Sequence, residues 1–365
     1  MNTEKAEHDE QRDLARGPSR DLSRPPRLSV VVPVHNGERD FDACLAALSA
    51  SDIPRTDWEL IVVDDASTDT SAEIAAKYAE RIINIDAPAR GPAYARNRGI
   101  EAAYSPMVAF VDADVMVHAD TLQRMLDKLS EDDVAAVFGS YDDRPSDRGV
   151  VSQYRNLLHR FIHQRSAGYV DSFWAGCGAA KKEVLESVGS FDEERFRRPE
   201  MEDVELGYRL REAGHRIFLD PAVQCTHRKR ITFGDMIASD FSRRGIPWTR
   251  LLLDRKMMNA PRGLSLGISE RLSAVATGLF VLSLATLLFE ASVIFAMLAF
   301  TALIVFVSVN RELFATLARA RGGAFLLAAI PLHLAHNFTA VSALVWATIT
   351  HPFIRSARES YKPTR

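Results

Sequence analysis

The sequence lacks the marks of a disulfide-built secreted domain, a nucleic-acid binder or a dinucleotide enzyme. Its three cysteines, Cys44, Cys177 and Cys225, are far apart and form no CxxC pair, so no disulfide framework and no cysteine zinc site is expected. A net charge of −3 over 365 residues supplies no basic field for a nucleic acid. After the first apolar run the chain reads VPVHNGERDF, which is not G-x-G-x-x-G, and G-x-x-x-x-G-K-[ST] occurs nowhere. The two usual phosphate-cradling glycine loops are therefore missing, and a diphosphate bound here would need another counter-charge. Residues 1–27 carry mixed charge and almost no large apolar side chain. With no apolar run behind them they read as a disordered tail, not a signal peptide.

What is present is unevenly distributed. Apolar residues make up 47% of the chain, enough for a substantial core. From Leu272 to Phe289 the chain carries no charge; Glu290 interrupts, and a second uncharged run continues to Val309. Each run is about long enough to cross a bilayer core of roughly 30 Å, and together they read as a helical hairpin turning at Glu290. A third run, GGAFLLAAIPLHLAHNFTAVSALVWATIT, contains Pro331, His333, His336 and Asn337. It reads either as a span or as a bent, re-entrant segment. The paired histidines share one helical face and suit hydrogen bonds between helices. Basic residues lie before the first run (Arg262, Arg271), between the second and third (Arg311, Arg319, Arg321) and after the last (Arg355, Arg358, Lys362, Arg365). The positive-inside rule wants all three groups on the cytoplasmic side of a cell membrane, which two spans and a re-entrant segment satisfy, whereas a full third span leaves the basic tail outside; the large N-terminal half is expected to be cytoplasmic in either case.

Residues 28–228 alternate short apolar runs with amphipathic ones. LSVVVPV, LIVVDD, RIINID and MVAFVDAD read as strands; FDACLAALSA, TSAEIAAKYAE and GPAYARNRGIEAAY read as helices, the last opened by Gly91-Pro92. Strands without polar alternation, separated by helices, predict an α/β domain with a mostly parallel sheet covered on both faces. Ligands of such sheets bind at the carboxyl ends of the strands. Those ends carry Pro33-Val34-His35-Asn36, Asp64-Asp65 and Asp112-Ala113-Asp114.

FVDADVMV, with two carboxylates at the mouth of a buried strand, admits several readings. Side chains at i and i+2 of a strand share a face, so Asp112 and Asp114 are expected to meet one ligand. Carboxylates suit Mg²⁺ or Mn²⁺, which commonly share coordination with substrate phosphates. An EF-hand starting at Asp112 fails, because Val117 and Gln123 stand where glycine and glutamate are needed. A dehalogenase-type phosphatase is disfavoured by Met116 and by the motif's place on the fourth strand. The remaining reading is that the two aspartates simply end a strand and start a helix. Further on, Glu202 and Asp203 open a helix that Gly214 closes. Both suit the helix dipole, and Asp203 is also a candidate general base for an acceptor hydroxyl. Arg96 and Arg98 fall near the same edge, and His227 follows one more strand.

In this order, SVVVPVHN, VVDDASTD, GPAYARNRGI, FVDAD, WAGCGAAKKEVLESVGSFDE, MEDVELGYRLREAGHRI and His227, the segments resemble the family 2 glycosyltransferases, over about residues 28–228. The resemblance implies the GT-A fold, a Rossmann-like α/β sheet, and inverting transfer of a sugar from a nucleotide-diphosphate donor with Mg²⁺ or Mn²⁺. It implies nucleoside contacts from Pro33, His35, Asn36, Asp65, Arg96 and Asp112. Asp114 would hold the metal with Asp112 and His227, and Asp203, beside Glu202, would be the base. Trp174 and Gly176, with Arg244 and Trp248 further on, would line the donor sugar and acceptor. Processive membrane members carry Q-x-x-R-W before their helices. Here the region reads DFSRRGIPWTR, with neither the glutamine nor the R-W adjacency, which argues against a polymer-extruding synthase. The expected organisation is a tail (1–27), a GT-A domain (28–228), an amphipathic membrane-interface segment (229–270), an α-helical membrane region (271–351) and a basic tail (352–365). The implied partners are a nucleotide sugar, a membrane lipid or lipid-linked acceptor and the bilayer, with no nucleic acid. A nucleotidyltransferase would show a glycine- and arginine-rich loop after the first strand, which HNGERDFD is not. A non-catalytic scaffold would have no need of intact Asp112, Asp114 and Asp203.

Overall fold

The structure, a computed structural model, describes residues 25–256 and 267–360. Most of the expected N-terminal tail (1–24), part of the interface segment (257–266) and the last five residues of the basic tail lie outside the described residues. The chain divides into two compact units. The first comprises residues up to Asp147 and Ile162–Lys229; the second comprises Arg148–Phe161 and everything from Arg230.

In the first unit, β1 (Leu28–Val34), α1 (Glu38–Ser49), β2 (Trp58–Asp65), α2 (Ser71–Ala75), β3 (Arg81–Ile85), α3 (Pro92–Ala102) and β4 (Met107–Val111) follow the expected alternation. Then come β5 (Val115–Val117), α4 (Thr121–Leu129), β6 (Ala136–Tyr141), α5 (Val150–Arg165, of which the part up to Phe161 belongs to the second unit), β7 (Gly168–Val170), β8 (Cys177–Lys181), α6 (Lys182–Ser187), α7 (Glu202–Glu212) and β9 (Ile217–His227). The sheet order is β3-β2-β1-β4-β8-β6-β9-β5, with β7 paired to β9 off that path. The half β3-β2-β1-β4 is parallel throughout. Beyond β4 the sheet is mixed: β8 runs antiparallel to both β4 and β6, while β6 and β9 are parallel to each other.

The uninterrupted apolar runs of β1 and β2 are buried along almost their whole length, as strands covered on both faces must be. Phe110, Phe138, Phe173 and Phe191 meet edge-to-face, with centroids 5.4–6.4 Å apart, beneath the second half of the sheet. All three cysteines are buried and free.

Gly99, within α3, lets that helix approach β1. A Cβ there would come 2.2 Å from Cγ1 of Val31, whose side chain is fully buried. Alanine is the better helix former by about 1 kcal/mol. Overpacking against an immovable β-branched neighbour costs about 1–3 kcal/mol and wins. Gly99→Ala is thus expected to lower the thermal midpoint; a raised midpoint would show that Val31 can give way.

The second unit is helical: α8 (Phe233–Ala238), a π-helical turn at Ser239–Gly245, α9 (Ile246–Asp254), α10 (Ile268–Leu287), α11 (Val293–Val309), α12 (Arg311–Arg321) and α13 (Gly323–Ser360). α10 and α11 form the hairpin expected from sequence, with Glu290 in its turn. Among the described residues two helices alone are long and apolar enough to cross a membrane: α10, and Gly323–Phe353 of α13. α11 has 17 residues, about 25 Å at 1.5 Å per residue, and falls short by itself. It qualifies only with α12, from which it is bent by 69°. The bent segment is thus this pair. The third apolar run, for which bending was one of the two sequence readings, is a continuous helix despite Pro331 and Pro352.

Polar side chains cross-link the helices of this unit. His333 bonds the Tyr154 hydroxyl at 2.8 Å and Asn310 Oδ1 at 3.0 Å. His336 donates to buried Asp240 at 2.7 Å, and Arg155 pairs with the same carboxylate at 3.0 Å. The two histidines therefore bond between helices, as their shared face suggests.

Candidate active site

β1, β2, β4, β6 and β9 run one way, so their carboxyl ends meet along one edge of the sheet; β5 and β8, running the other way, begin there. That single fact gathers residues from far apart in sequence: His35, Asp65, Asp112, Tyr141 and His227 at strand ends, and Asp114 and Gly176 just before strand starts.

On the β1–β2 side the loops hold one another. His35 Nδ1–H donates to the Asp65 carbonyl at 2.6 Å, and Asn36 Oδ1 accepts from the Thr68 N–H at 2.8 Å. Pro33 lies one residue from the end of β1, beside Val63. Asp65 is buried and accepts from two backbone N–H groups, those of Arg90 and Gly91, both at 2.7 Å. It orders the loop that enters α3, and each oxygen keeps one lone pair for a ligand. His35 and Asn36 are exposed at this edge.

The D-x-D segment differs from the strand geometry expected for it. β4 stops at Val111, and Asp112 to Asp114 form a turn into β5, closed by the Val115 N–H donating to the Asp112 carbonyl at 3.0 Å. The i, i+2 rule of a strand does not apply there, and the two carboxylates take different partners. Asp112 pairs with Arg96 at 2.8 Å. Asp114 lies 3.8 Å from His227 Nε2 and 4.0 Å from Lys229 Nζ. The β5–β9 register sets Val115 opposite His227, which brings the two together.

Asp114 accepts no side-chain hydrogen bond among the described residues. Burial raises its pKa above the usual carboxylate range, with Asp112 adding to the rise and His227 and Lys229 opposing it. A carboxylate so short of counter-charge suits a divalent cation. Among the described residues no group of three or more His, Cys, Asp and Glu side chains is arranged to hold a metal, so Asp112, Asp114 and His227 do not form a closed site.

Tyr141 and Lys229 were not singled out from sequence. Tyr141 stacks on His227, centroids 4.7 Å apart and planes at 26°, and meets Trp174 edge-to-face at 5.0 Å. The available signal was position: AVFGSY is a further apolar run ending at the same edge. Trp174 packs closely over Gly176, where a Cβ would come 2.6 Å from the indole. The Gly176 carbonyl accepts from the Asp112 N–H at 3.1 Å, continuing the β4–β8 ladder.

Glu202 and Asp203 open α7 side by side but differ in setting. Glu202 is buried, pairing with Arg96 at 2.9 Å and accepting from the Glu200 N–H at 3.0 Å. Asp203 is only partly buried and accepts from the N–H groups of Ala175 at 3.1 Å and Val204 at 2.8 Å. Burial and the neighbouring Glu202 push its pKa up to about 7. Arg244 and Trp248 belong to the second unit, on the π-helical turn and on α9.

Comparison with known proteins identifies the domain that carries these residues. Residues 29–189 match the family described as Glycosyl transferase family 2. Glycosyltransferase AglE of Haloferax volcanii is 26% identical over 226 residues, covering 59% of this chain and 71% of that protein. The poly(ribitol-phosphate) beta-N-acetylglucosaminyltransferase TarS of Staphylococcus aureus is 34% identical over 101 residues, 27% of this chain and 18% of that one. Among solved structures, the mannosyltransferase PcManGT from Pyrobaculum calidifontis, in complex with GDP-Man and Mn²⁺, aligns over 96% of this chain and 93% of its own. Its TM-score is 0.53 at 20% identity, a likeness of fold. Residues 29–189 are a glycosyl transferase family 2 domain of GT-A fold, and the chain that carries it is a glycosyltransferase.

Proposed function

We propose that the protein transfers a sugar from a nucleotide-diphosphate donor to a membrane-associated acceptor by a single displacement, with inversion at the anomeric carbon. The observation that carries this is Asp203: a partly exposed carboxylate at the first turn of α7, oriented by two backbone N–H groups, with its pKa pushed up to about 7. A base poised near the working pH is what proton abstraction from a hydroxyl needs. In the proposed step the acceptor oxygen bonds to the anomeric carbon and its proton passes to Asp203. The bond from that carbon to the phosphate oxygen breaks, and its electron pair leaves with the nucleoside diphosphate. Inversion is the simpler outcome, because Glu202 is buried in an ion pair with Arg96 and is not free to act as a covalent nucleophile.

His35, Asn36, Asp65 and the lone pairs left on Asp112 would receive the nucleoside, with Trp174 and Tyr141 walling the sugar. Asp114 and His227 would hold Mg²⁺ or Mn²⁺ with oxygens of the diphosphate completing the shell, and a bound ion would neutralise charge on the departing diphosphate. The named Mn²⁺ and GDP-Man of the Pyrobaculum protein support that class of donor and metal.

The second unit supports a membrane-associated acceptor. Leu282, Met297, Phe300, Trp346 and Phe353 are more than half exposed on helices long enough to cross or enter a bilayer. In this reading the catalytic unit is cytoplasmic, at the cell membrane, and the segment through α8 and α9, with Arg244 and Trp248, lies at the membrane surface.

UDP or GDP release from a panel of nucleotide sugars, with Mn²⁺ and extracted membrane lipids as acceptor, tests the proposal. No release with any donor would sink it. Since the base must be ionised, turnover is expected to fall as pH drops through about 7. A profile flat from pH 5 to 9 would remove Asp203 from the mechanism.

A further inference from the structure

Three successive residues of α3 have separate attachments. Arg98 pairs with Glu101 on the surface at 2.6 Å. Asn97 clamps the loop before α7: its amide N–H donates to the Phe191 carbonyl and its Oδ1 accepts from the Phe191 N–H, both at 2.9 Å. Arg96 is different. Its guanidinium is 5% exposed and reaches two carboxylates at once, Nη2 to Asp112 and Nη1 to Glu202. Asp112 lies on the turn at the donor edge, and Glu202 adjoins Asp203. Asn97 and the close Gly99–Val31 approach already dock α3, so the buried charge of Arg96 is not needed for docking.

We propose that Arg96 is a positioning residue for the transfer: it sets one positive charge between the donor-side turn and the base-bearing helix, and so keeps Asp203 able to accept a proton. The inference rests on Asp203 being the base. Asp203 is faced by Glu202 on its own helix, by Asp112 on the turn after β4, by Arg96 on α3 and by the Ala175 N–H before β8. Burial, Glu202 and Asp112 favour its neutral form; Arg96 and the Ala175 N–H favour the charged one. Taking away Arg96 leaves three carboxylates together with no cation among them, and Asp203 must then ionise at higher pH. Neutralising Glu202 leaves Arg96 opposed by Asp112 alone, and Asp203 must ionise at lower pH. The two variants are required to act in opposite directions.

The test is the pH dependence of kcat, read as UDP or GDP release by the full-length protein with the donor that turns over. Parent, Arg96→Gln, Arg96→Lys and Glu202→Gln are compared, and folding of each is checked by its thermal transition. The midpoint of the ascending limb is expected to rise by about one pH unit or more in Arg96→Gln and to fall by a similar amount in Glu202→Gln, a tenfold change in the acidity of the base in each case. Arg96→Lys, which restores the charge without the fork, should return most of the way to the parent midpoint. A purely structural Arg96 would lower kcat at every pH and leave all midpoints within about 0.3 unit of the parent, and that result overturns the proposal. Should Arg96→Gln fail to fold, Glu202→Gln decides alone, an unmoved midpoint again overturning it. Asp203→Asn separates the two readings. If that variant keeps turnover within about tenfold of the parent, the base assignment fails and this inference with it; if it loses about a hundredfold or more while the midpoints stay put, only the role of Arg96 falls.

Discussion

Asp203→Asn is expected to cut turnover by about two to four orders of magnitude and to leave UDP and GDP binding within a few-fold of the parent. The amide keeps the size of the carboxylate and one acceptor oxygen for the Ala175 N–H, so the turn into α7 should stand. What it cannot do is take a proton at neutral pH. The same substitution makes a stability prediction with a definite sign. In the folded protein Asp203 ionises near pH 7, whereas in the unfolded chain it does so at about 3.9. Between those values the unfolded state binds fewer protons than the folded one, so stability falls as pH rises from about 4 to 7. Asparagine removes that loss, and the variant's thermal midpoint relative to the parent should climb across this window and stay high above it. A variant that is inactive yet shows no such relative gain would mean the carboxylate is ionised well below pH 7 and is not the poised base described here.

The second large effect is expected at Asp114. Asp114→Asn should cost about 10²–10³-fold in turnover, the several kcal/mol that a metal at the leaving group supplies. Mn²⁺ should then no longer raise the thermal midpoint in the presence of UDP or GDP. The argument is electrostatic. Asp114 is held only at 3.8 Å and 4.0 Å by His227 and Lys229, so its charge is available to a cation, whereas Asp112 is already paired with Arg96. His227→Ala should do less, because it removes an imidazole from beside Tyr141 and leaves the Asp114 carboxylate in place. An unchanged Mn²⁺ shift in Asp114→Asn would move the metal elsewhere.

The strands and their order of ends were legible in the sequence because buried parallel strands are written as plain apolar runs, as in LSVVVPV and LIVVDD. The carboxylates at those ends were equally plain. Their partners were not. That Asp112 meets Arg96, or Asp114 meets His227, depends on the strand stopping at Val111 instead of running on through Asp114 and on the β5–β9 register, which local spacing does not encode. Glu202 and Asp203 are adjacent and chemically alike, so the sequence treated them as a pair. Only burial and Arg96 separate them, one carboxylate locked in an ion pair and the other left at the cleft. The antiparallel strand β8, inserted between β4 and β6, was also beyond reach, since CGAAK carries too little pattern to announce a direction.

The segment Arg148–Phe161 makes the second unit discontinuous: it leaves the first unit in mid-chain, contributes Tyr154 to His333 and Arg155 to Asp240, and then returns. The two units therefore cannot be separated with a single cut. Removing everything after residue 230 to obtain a water-soluble enzyme would strip Tyr154 of His333 and Arg155 of Asp240, and leave their segment without the helices it belongs with. Dissection of this enzyme calls for a second excision, bridging Asp147 to Ile162, or for keeping the helical unit and working in detergent.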